Sequence, residues 1–331
     1  MARIVTVTLN PALDLNVTLD HLATGAVNRA READLIAAGK GMNVARVLAA
    51  LGHSVVVTGL LGADNAAPFE QACRTHGLAE RFVPVPGQTR TNVKVADAEG
   101  AVTEINGPGF YPPADALAHL EHTLATVLPG CDGMVLAGSL PPGLPADAVA
   151  SLVRQGAAAD VPVWLDTSGA ALAGGLSARP FGIKPNREEL AEWLGRPPTD
   201  PDLIPEAIRQ CRDLGIAHGV FSLGGDGVIW CTADAVWAST PPPVPVANTV
   251  CAGDTLLAGM VHGVLTWPGS PEQALTYATA LAAECVRHPG VGNPKAEDLP
   301  ALVAQTRVGH RPLNRTRETD TGNKKTGEMP T

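Results

Sequence analysis

Residues 246–259 read Val-Ala-Asn-Thr-Val-Cys-Ala-Gly-Asp-Thr-Leu-Leu-Ala-Gly. A turn of small residues carrying one carboxylate, Asp254, leads straight into an apolar helical run with Leu256, Leu257, Met260, Val261 and Val264. The first turn of a helix presents unpaired backbone N–H groups and the positive end of the helix dipole. An acid placed there can take a proton from an attacking hydroxyl while the amides hold a migrating phosphoryl group. The same residues also describe an ordinary helix start, with Asp254 complementing the dipole.

Four more segments carry side chains suited to such chemistry. Ala38-Gly39-Lys40-Gly41-Met42-Asn43 opens a helical run; its glycines admit a ligand to the backbone, and Lys40 and Asn43 can reach an anion or sugar hydroxyls. A glycine turn with a solvated lysine is the plain alternative. Thr89-Arg90-Thr91-Asn92-Val93-Lys94 puts Arg90, Asn92 and Lys94 on one face of a strand. Two cations and an amide there suit a phosphate, or else form the solvated face of an edge strand. In Lys184-Pro185-Asn186-Arg187-Glu188-Glu189, Asn186 and Glu189 have capping-box spacing. The same pair can act through water on a metal bound to nucleotide phosphates. Ser222-Leu223-Gly224-Gly225-Asp226-Gly227 is a strand-ending turn that allows close backbone contact with phosphate or base, or simply a hairpin signal.

Other chemistries lack their residues. No Gly-x-x-x-x-Gly-Lys-[Ser/Thr] occurs, and no Gly-x-Gly-x-x-Gly follows the first strand, so Walker-type and dinucleotide-binding readings lose their main support. The nine histidines form no metal-ligand spacing, and Ser139 lacks the Gly-x-Ser-x-Gly elbow of a hydrolase. Six cysteines lie far apart with no Cys-x-x-Cys, which suits reduced thiols better than zinc or a disulfide framework. A formal net charge of −9 with scattered basic residues argues against nucleic acid as a main partner. The chain opens as an alternating strand without a signal-peptide core, and no apolar run approaches the ~18 residues of a membrane helix. A cytoplasmic protein is expected.

The elements that must position these residues alternate along the chain. Strands are expected at 4–9, 54–59, 134–137, 161–166, 183–184 and 219–223, and helices at 41–51, 65–76, 114–128, 145–155 and 187–194. With 331 residues, 45% of them hydrophobic, this pattern predicts an α/β fold with a mostly parallel central sheet covered by helices. Ligands in such sheets bind beyond the carboxyl ends of the strands. Segments 15–19, 91–96 and 102–105 alternate without an intervening helix, with a hairpin turn at 97–100. They form either a small β lid or edge strands of the main sheet. From about Val308 the chain is polar and reads as a disordered tail.

Taken in order, these motifs resemble the ribokinase-like PfkB carbohydrate kinase family, from Thr8 to about Gly292. Asn248-Thr-Val-Cys-Ala-Gly-Asp254 is similar to its C-terminal signature, Gly39-Lys-Gly-Met-Asn43 to its N-terminal one, and Lys184-Pro-Asn-Arg-Glu-Glu189 carries its Asn-x-x-Glu element. Thr8-Leu-Asn-Pro-Ala-Leu-Asp14 and the segment 89–94 look like its phosphosugar branch. The resemblance implies a ribokinase-like three-layer domain over 1–307, with lid segments of about 15–20 and 89–106, then the tail 308–331. It implies an ATP- and Mg²⁺-dependent kinase converting fructose 1-phosphate to fructose 1,6-bisphosphate, tagatose 6-phosphate being the alternative substrate.

On this resemblance Asp254 is the base, and the amides of Ala252, Gly253 and Asp254 form the anion hole. Asp14, Gly39, Lys40, Asn43, Arg90 and Ser139 hold the phosphosugar. Lys184, Asn186, Ser222, Gly224, Gly225, Gly227 and Thr249 line the ATP site, and Glu189, with Asn186, reaches Mg²⁺ through water. A homodimer through the lid is a further expectation. The family usually has Gly-Ala-Gly-Asp, whereas here Cys251 stands first. The backbone at that position is expected to be ordinary and the cysteine harmless; the departure also motivates a different reading, a non-catalytic sugar-phosphate sensor. A dehydrogenase on the same layered architecture lacks its glycine fingerprint.

Overall fold

The apolar strands feed two hydrophobic layers, one on each face of a sheet. In the computed structural model, which describes residues 1–98 and 102–312, β1 (Arg3–Thr8) sends Ile4 to one layer and Val5 and Val7 to the other. Successive strand side chains point to opposite faces, so a strand buried on both sides is apolar throughout. The chain continues through β2 (Ala12–Thr18), β3 (Glu32–Ala38), α1 (Lys40–Ala50), β4 (Ser54–Gly62), α2 (Ala67–His76), β5 (Ala79–Val85), β6 (Arg90–Ala96), β7 (Val102–Ile105), α3 (Ala116–Val127) and β8 (Gly133–Ala137). Its second half runs α4 (Asp147–Ala158), β9 (Val163–Asp166), α5 (Gly169–Leu176), β10 (Gly182–Ile183), α6 (Arg187–Leu194), α7 (Leu203–Asp213), β11 (His218–Ser222) and β12 (Val228–Cys231). It closes with β13 (Ala235–Thr240), α8 (Ala252–Thr266), α9 (Pro271–Cys285), α10 (Leu299–Gln305) and β14 (Arg307–Pro312).

Ten strands form the main sheet in the order β14-β13-β12-β11-β10-β9-β8-β1-β4-β5. From β5 to β11 every pairing is parallel, and β12, β13 and β14 extend the sheet antiparallel. Leu120, Leu152, Leu172 and Leu190 of α3 to α6 pack on one face, and Val47, Phe69, Leu257 and Leu281 of α1, α2, α8 and α9 on the other. The result is three layers, as expected. No helix among the described residues is long and apolar enough to cross a membrane.

The accessory strands resolve as a separate four-stranded sheet, β3-β2-β6-β7, and not as edges of the main one. β3 was not foreseen, because its first five residues are exposed and show no buried face to the sequence pattern. The hairpin turn expected at 97–100 is described only through Ala98. At the other end, residues 308–312, expected to belong to the disordered tail, pair with β13 as part of β14. A short polar edge strand has no apolar alternation to announce it; its partner strand supplies the pattern. Residues 313–331 of the expected tail lie outside the described residues.

Helix α8 is held to α9 by close backbone approach. A Cβ at Gly259 would stand 2.8 Å from Ala278 Cα, and one at Gly263 2.6 Å from Ala274 Cβ. Gly259→Val is therefore expected to cost about 2 kcal/mol by forcing the helices apart. A urea titration reads this as a lower midpoint at unchanged slope; an unchanged midpoint would show that the two helices separate freely.

Candidate active site

The loops that carry the motif residues meet above the carboxyl ends of β1, β9, β10 and β11. Gly39, with φ of 117°, lies where a Cβ would press within 3.1 Å of Thr8 Cγ2. Only glycine sits there without strain, and the turn lays the start of α1 flat on the end of β1. Lys40 and Asn43, on the first turn of α1, then project over the sheet.

A buried carboxylate organises the charges. Asp166, the last residue of β9, has a fully buried side chain. Its Oδ1 lies 3.0 Å from Lys40 Nζ, and its Oδ2 3.4 Å from the Nζ of Lys184, itself only 3% exposed. Burial alone would raise the Asp166 pKa, but the Lys184 and Lys40 ammonium groups outweigh it and hold the carboxyl below its ordinary value. Burial would likewise discharge Lys40, yet Asp166, Glu189 and Asp254 keep it firmly protonated. Lys40 Nζ also lies 3.3 Å from Glu189 Oε1. Glu189 closes the expected capping box at α6: its Oε2 accepts from the Asn186 N–H at 2.9 Å, and Asn186 Oδ1 accepts from the Glu189 N–H at 2.8 Å.

The start of α8 faces this cluster. Helix geometry leaves the first-turn N–H groups without intrahelical acceptors. That of Ala252 turns back to the Thr249 carbonyl at 3.3 Å, while Thr255 already closes on Cys251 at 2.8 Å. Of the three amides expected to form an anion hole, those of Gly253 and Asp254 are the better placed to take an outside ligand. A Cβ on Gly253 would stand 3.3 Å from Lys184 Nζ, so glycine lets that ammonium approach the turn. Asp254 is 7% exposed and accepts from Asn43 Nδ2 at 2.8 Å through its Oδ2. Burial and the nearby Asp166 charge push its pKa up to about 6, against the opposing pull of Lys40, Asn43 and Lys184.

Cys251 overturns the expectation of an ordinary backbone. It caps α8 in the left-handed region, with φ of 68° and ψ of −5°. An L-residue with a Cβ costs about 1–2 kcal/mol there. The cysteine is thus strained where the family's usual glycine would not be.

The lid supplies the opposite wall. Asp14, Asn92 and Lys94 share its inner face, in the register Asp14↔Asn92 and Asn16↔Lys94. Lys94 Nζ lies 2.6 Å from Asp14 Oδ2, and Asn92 Nδ2 donates to Asp14 Oδ1 at 3.0 Å. Of the two cations expected for a phosphate, Lys94 is therefore already balanced by Asp14. Arg90 instead donates to three backbone carbonyls, those of Pro11, Gly107 and Asn10, at 3.4, 2.9 and 3.2 Å. A guanidinium has five N–H donors, so these bonds aim its plane and leave donors over.

Between these walls lies a cavity of about 1050 Å³. The model of the pfkB family of carbohydrate kinases matches residues 7–298. The chain belongs to the PfkB family. It is 40% identical over 313 residues to 1-phosphofructokinase from Escherichia coli (strain K12), a match covering 94% of this chain and 99% of that one. Among solved structures, phosphofructokinase-2 from Escherichia coli in complex with potassium superposes with a TM-score of 0.85 at 26% identity, covering 92% and 99% of the two chains. The tetrameric inhibited form of the same enzyme gives 0.84 at 26% identity over the same shares. The ribokinase-like fold and a sugar kinase follow from the family.

Most residues singled out from the PfkB motifs line this one cavity: Asp14 and Arg90 from the lid, Gly39, Lys40 and Asn43 from the start of α1, and Lys184, Asn186, Ser222, Gly224, Gly225, Gly227 and Thr249 from the loops beyond. Ala252, Gly253 and Asp254, at the start of α8, line it too. Ser139 is not brought to it. Its Oγ accepts from Asn10 Nδ2 at 3.2 Å, so it stands behind the Arg90 anchor and supports it through Asn10. Glu189 is likewise set back, behind Lys40 and Asn186. Sequence reasoning missed Asp166, whose only signal was a lone acid ending an apolar strand. It also missed the wall of Pro241, Pro242, Pro243 and Val244, which has no chemical motif.

Asp166→Ala would leave Lys184 buried without its counter-charge, a loss of about 3–5 kcal/mol. The folded-state pKa of Asp166 is depressed, so this stabilisation is complete above about pH 4 and disappears as the pH falls lower. Urea midpoints at pH 7 and pH 3 should therefore differ more between wild type and variant at pH 7. Equal differences would show that the ion pairs contribute little.

Proposed function

We propose that this PfkB kinase transfers the terminal phosphoryl group of ATP to fructose 1-phosphate, yielding fructose 1,6-bisphosphate. The observation that carries the proposal is the placing of Asp254: a buried carboxylate with a raised pKa, on the helix turn whose amides open into a cavity walled opposite by the anchored Arg90. The name of the 40%-identical relative supports the same substrate.

In this reading Asp254 accepts the proton of the attacking sugar hydroxyl as its oxygen bonds to the γ-phosphorus. The bond from that phosphorus to the β-phosphate oxygen breaks, leaving ADP. The N–H groups of Gly253 and Asp254, with Lys184 beside them, stabilise the negative charge in transit. Arg90 binds the phosphate the sugar already carries. Ser222, Gly224, Gly225, Gly227 and Thr249 flank the nucleotide, and a Cβ at Gly224 or Gly225 would meet nothing within 4 Å.

The residues fit Mg²⁺ held through water. Both Glu189 oxygens are already engaged, one by the Asn186 N–H and one by Lys40, which suits an outer-sphere role better than a direct bond. The ion, when bound, supplies charge neutralisation on the phosphates.

The lid also supports a homodimer. Leu15, Leu35, Val93 and Ile105 lie in register across its four strands, on the face opposite Asp14 and Asn92. Leu35 is 50% and Ile105 61% exposed. Light scattering should give twice the chain mass, and Ile105→Lys should shift it toward one; a wild-type monomer overturns this assembly.

The activity is tested by ADP release with Mg·ATP and fructose 1-phosphate, tagatose 6-phosphate, fructose 6-phosphate, ribose and adenosine offered side by side. Preference for fructose 1-phosphate is expected. Preference for tagatose 6-phosphate corrects the substrate, and silence on all five, with sugar phosphate still raising Tm, favours the sensor. Asp254→Asn should lower kcat about a hundredfold to ten-thousandfold while leaving ATP binding in place; retained turnover removes Asp254 as the base. Because the carboxylate is ionised only above its raised pKa, log kcat/KM should fall with unit slope below about pH 6. A profile flat to pH 5 contradicts it. Arg90→Ala should raise KM for the phosphosugar roughly tenfold or more, and an unchanged KM takes Arg90 out of the phosphate site.

A further inference from the structure

Three non-glycine residues adopt positive φ in the described chain, Asp160, Arg179 and Cys251, and among them Cys251 lines the cavity. A strained backbone persists where its surroundings over-determine it, and such positions gather at working sites. Cys251 makes one contact that a glycine in its place could not. Its Sγ lies 3.4 Å from Asn43 Nδ2, the same nitrogen that donates to Asp254 Oδ2 at 2.8 Å. A side-chain amide nitrogen carries two N–H groups, and here each has its own acceptor. The Asn43 amide plane is thereby held from two sides, and one of those sides is the carboxylate.

The sulfur acts as a neutral acceptor. Burial first, then the neighbouring Asp254 charge, push the Cys251 thiol up to about 12, far from thiolate chemistry at neutral pH. Around the Asp254 carboxylate stand Lys40 from α1, Asp166 from the end of β9 and Lys184 from the loop after β10. None of these three supplies its hydrogen bond at Oδ2; Asn43 does.

We infer that Cys251 is a positioning residue, which through Asn43 fixes the orientation of the Asp254 carboxylate toward the attacking hydroxyl. The inference rests on the reading of Asp254 as the base. The strained turn is kept because the side chain that strains it also steadies the hydrogen bond to that base. In a PfkB chain with glycine at this position, Asn43 would have no sulfur to turn its second N–H toward.

The test compares Cys251→Ala, Cys251→Gly and Cys251→Ser in the full chain, with the sugar phosphate turned over best. Alanine keeps the left-handed strain and removes the sulfur, whereas glycine removes both. Both variants are expected to lose about threefold to tenfold in kcat, the scale of one weak hydrogen bond, with KM for either substrate within about twofold. Because the Asn43 hydrogen bond lowers the Asp254 pKa, both should move the acid limb of the rate profile to higher pH. Serine, with an acceptor of its own, should recover most of the loss.

Glycine alone should raise Tm, by about 2 °C, so that stability and activity change in opposite directions. In an Asn43→Ala background, Cys251→Ala should add nothing further, since two residues acting in series are not additive. The inference is overturned if alanine and glycine both keep wild-type kcat and acid limb, or if the loss is fully additive with Asn43→Ala. Failure of the base assignment is a separate result, read from Asp254→Asn retaining turnover.

Discussion

Asp166 is shut away from solvent at the end of β9, yet it stays charged because Lys40 reaches it from α1 and Lys184 from the loop after β10. Removing one partner of such a pair strands a charge where solvation cannot help it. The pair also sets geometry. Lys184 is held where its ammonium overlooks Gly253 on the α8 turn, and Lys40 is held where it touches Glu189 at the capped start of α6. The Asp166 charge is also one reason the Asp254 carboxyl is hard to ionise. One buried carboxylate thus ties both sides of the cavity to the sheet and tunes the acid that faces it.

The layers make this arrangement rigid. α8 sits in the layer with α1 and α9, packed through Gly259 and Gly263 so closely that a methyl group would not fit. Because α1 is in the same layer, Asn43 on its first turn meets Asp254 on the first turn of α8. The lid brings a different balance. It turns a carboxylate, an amide and an ammonium inward, but these satisfy one another, which leaves the thrice-anchored Arg90 as the cation best placed for an anionic group.

Much of the main sheet was legible. β1, β4, β8 and β9 are buried on both faces and read as apolar runs, while α1 and α6 carry periodic apolar faces. The Asn186 and Glu189 capping box could be read residue by residue, because it is a local interaction over three positions. β3 and β14 could not, since β3 exposes its first five residues and β14 is short and polar, and each exists through pairing with another strand. Ser139 falls outside the cavity lining for a related reason: its motif places it near the site, but which way it faces depends on Asn10 and Arg90.

By itself the sequence determined which loops come just before helices, which of them carry glycine, amide and acid, and in what order they follow one another. Those features depend on neighbours a few residues apart, where backbone sterics and capping operate. The tertiary structure alone decided which charges cancel. Lys94 is neutralised by Asp14, Lys40 and Lys184 by Asp166, and Arg90 is left to carbonyls, through contacts between segments far apart in the chain. It also decided that Cys251 turns left-handed at the start of α8. Coulomb interactions and backbone strain of this kind are set by distance in space, which composition and spacing do not encode.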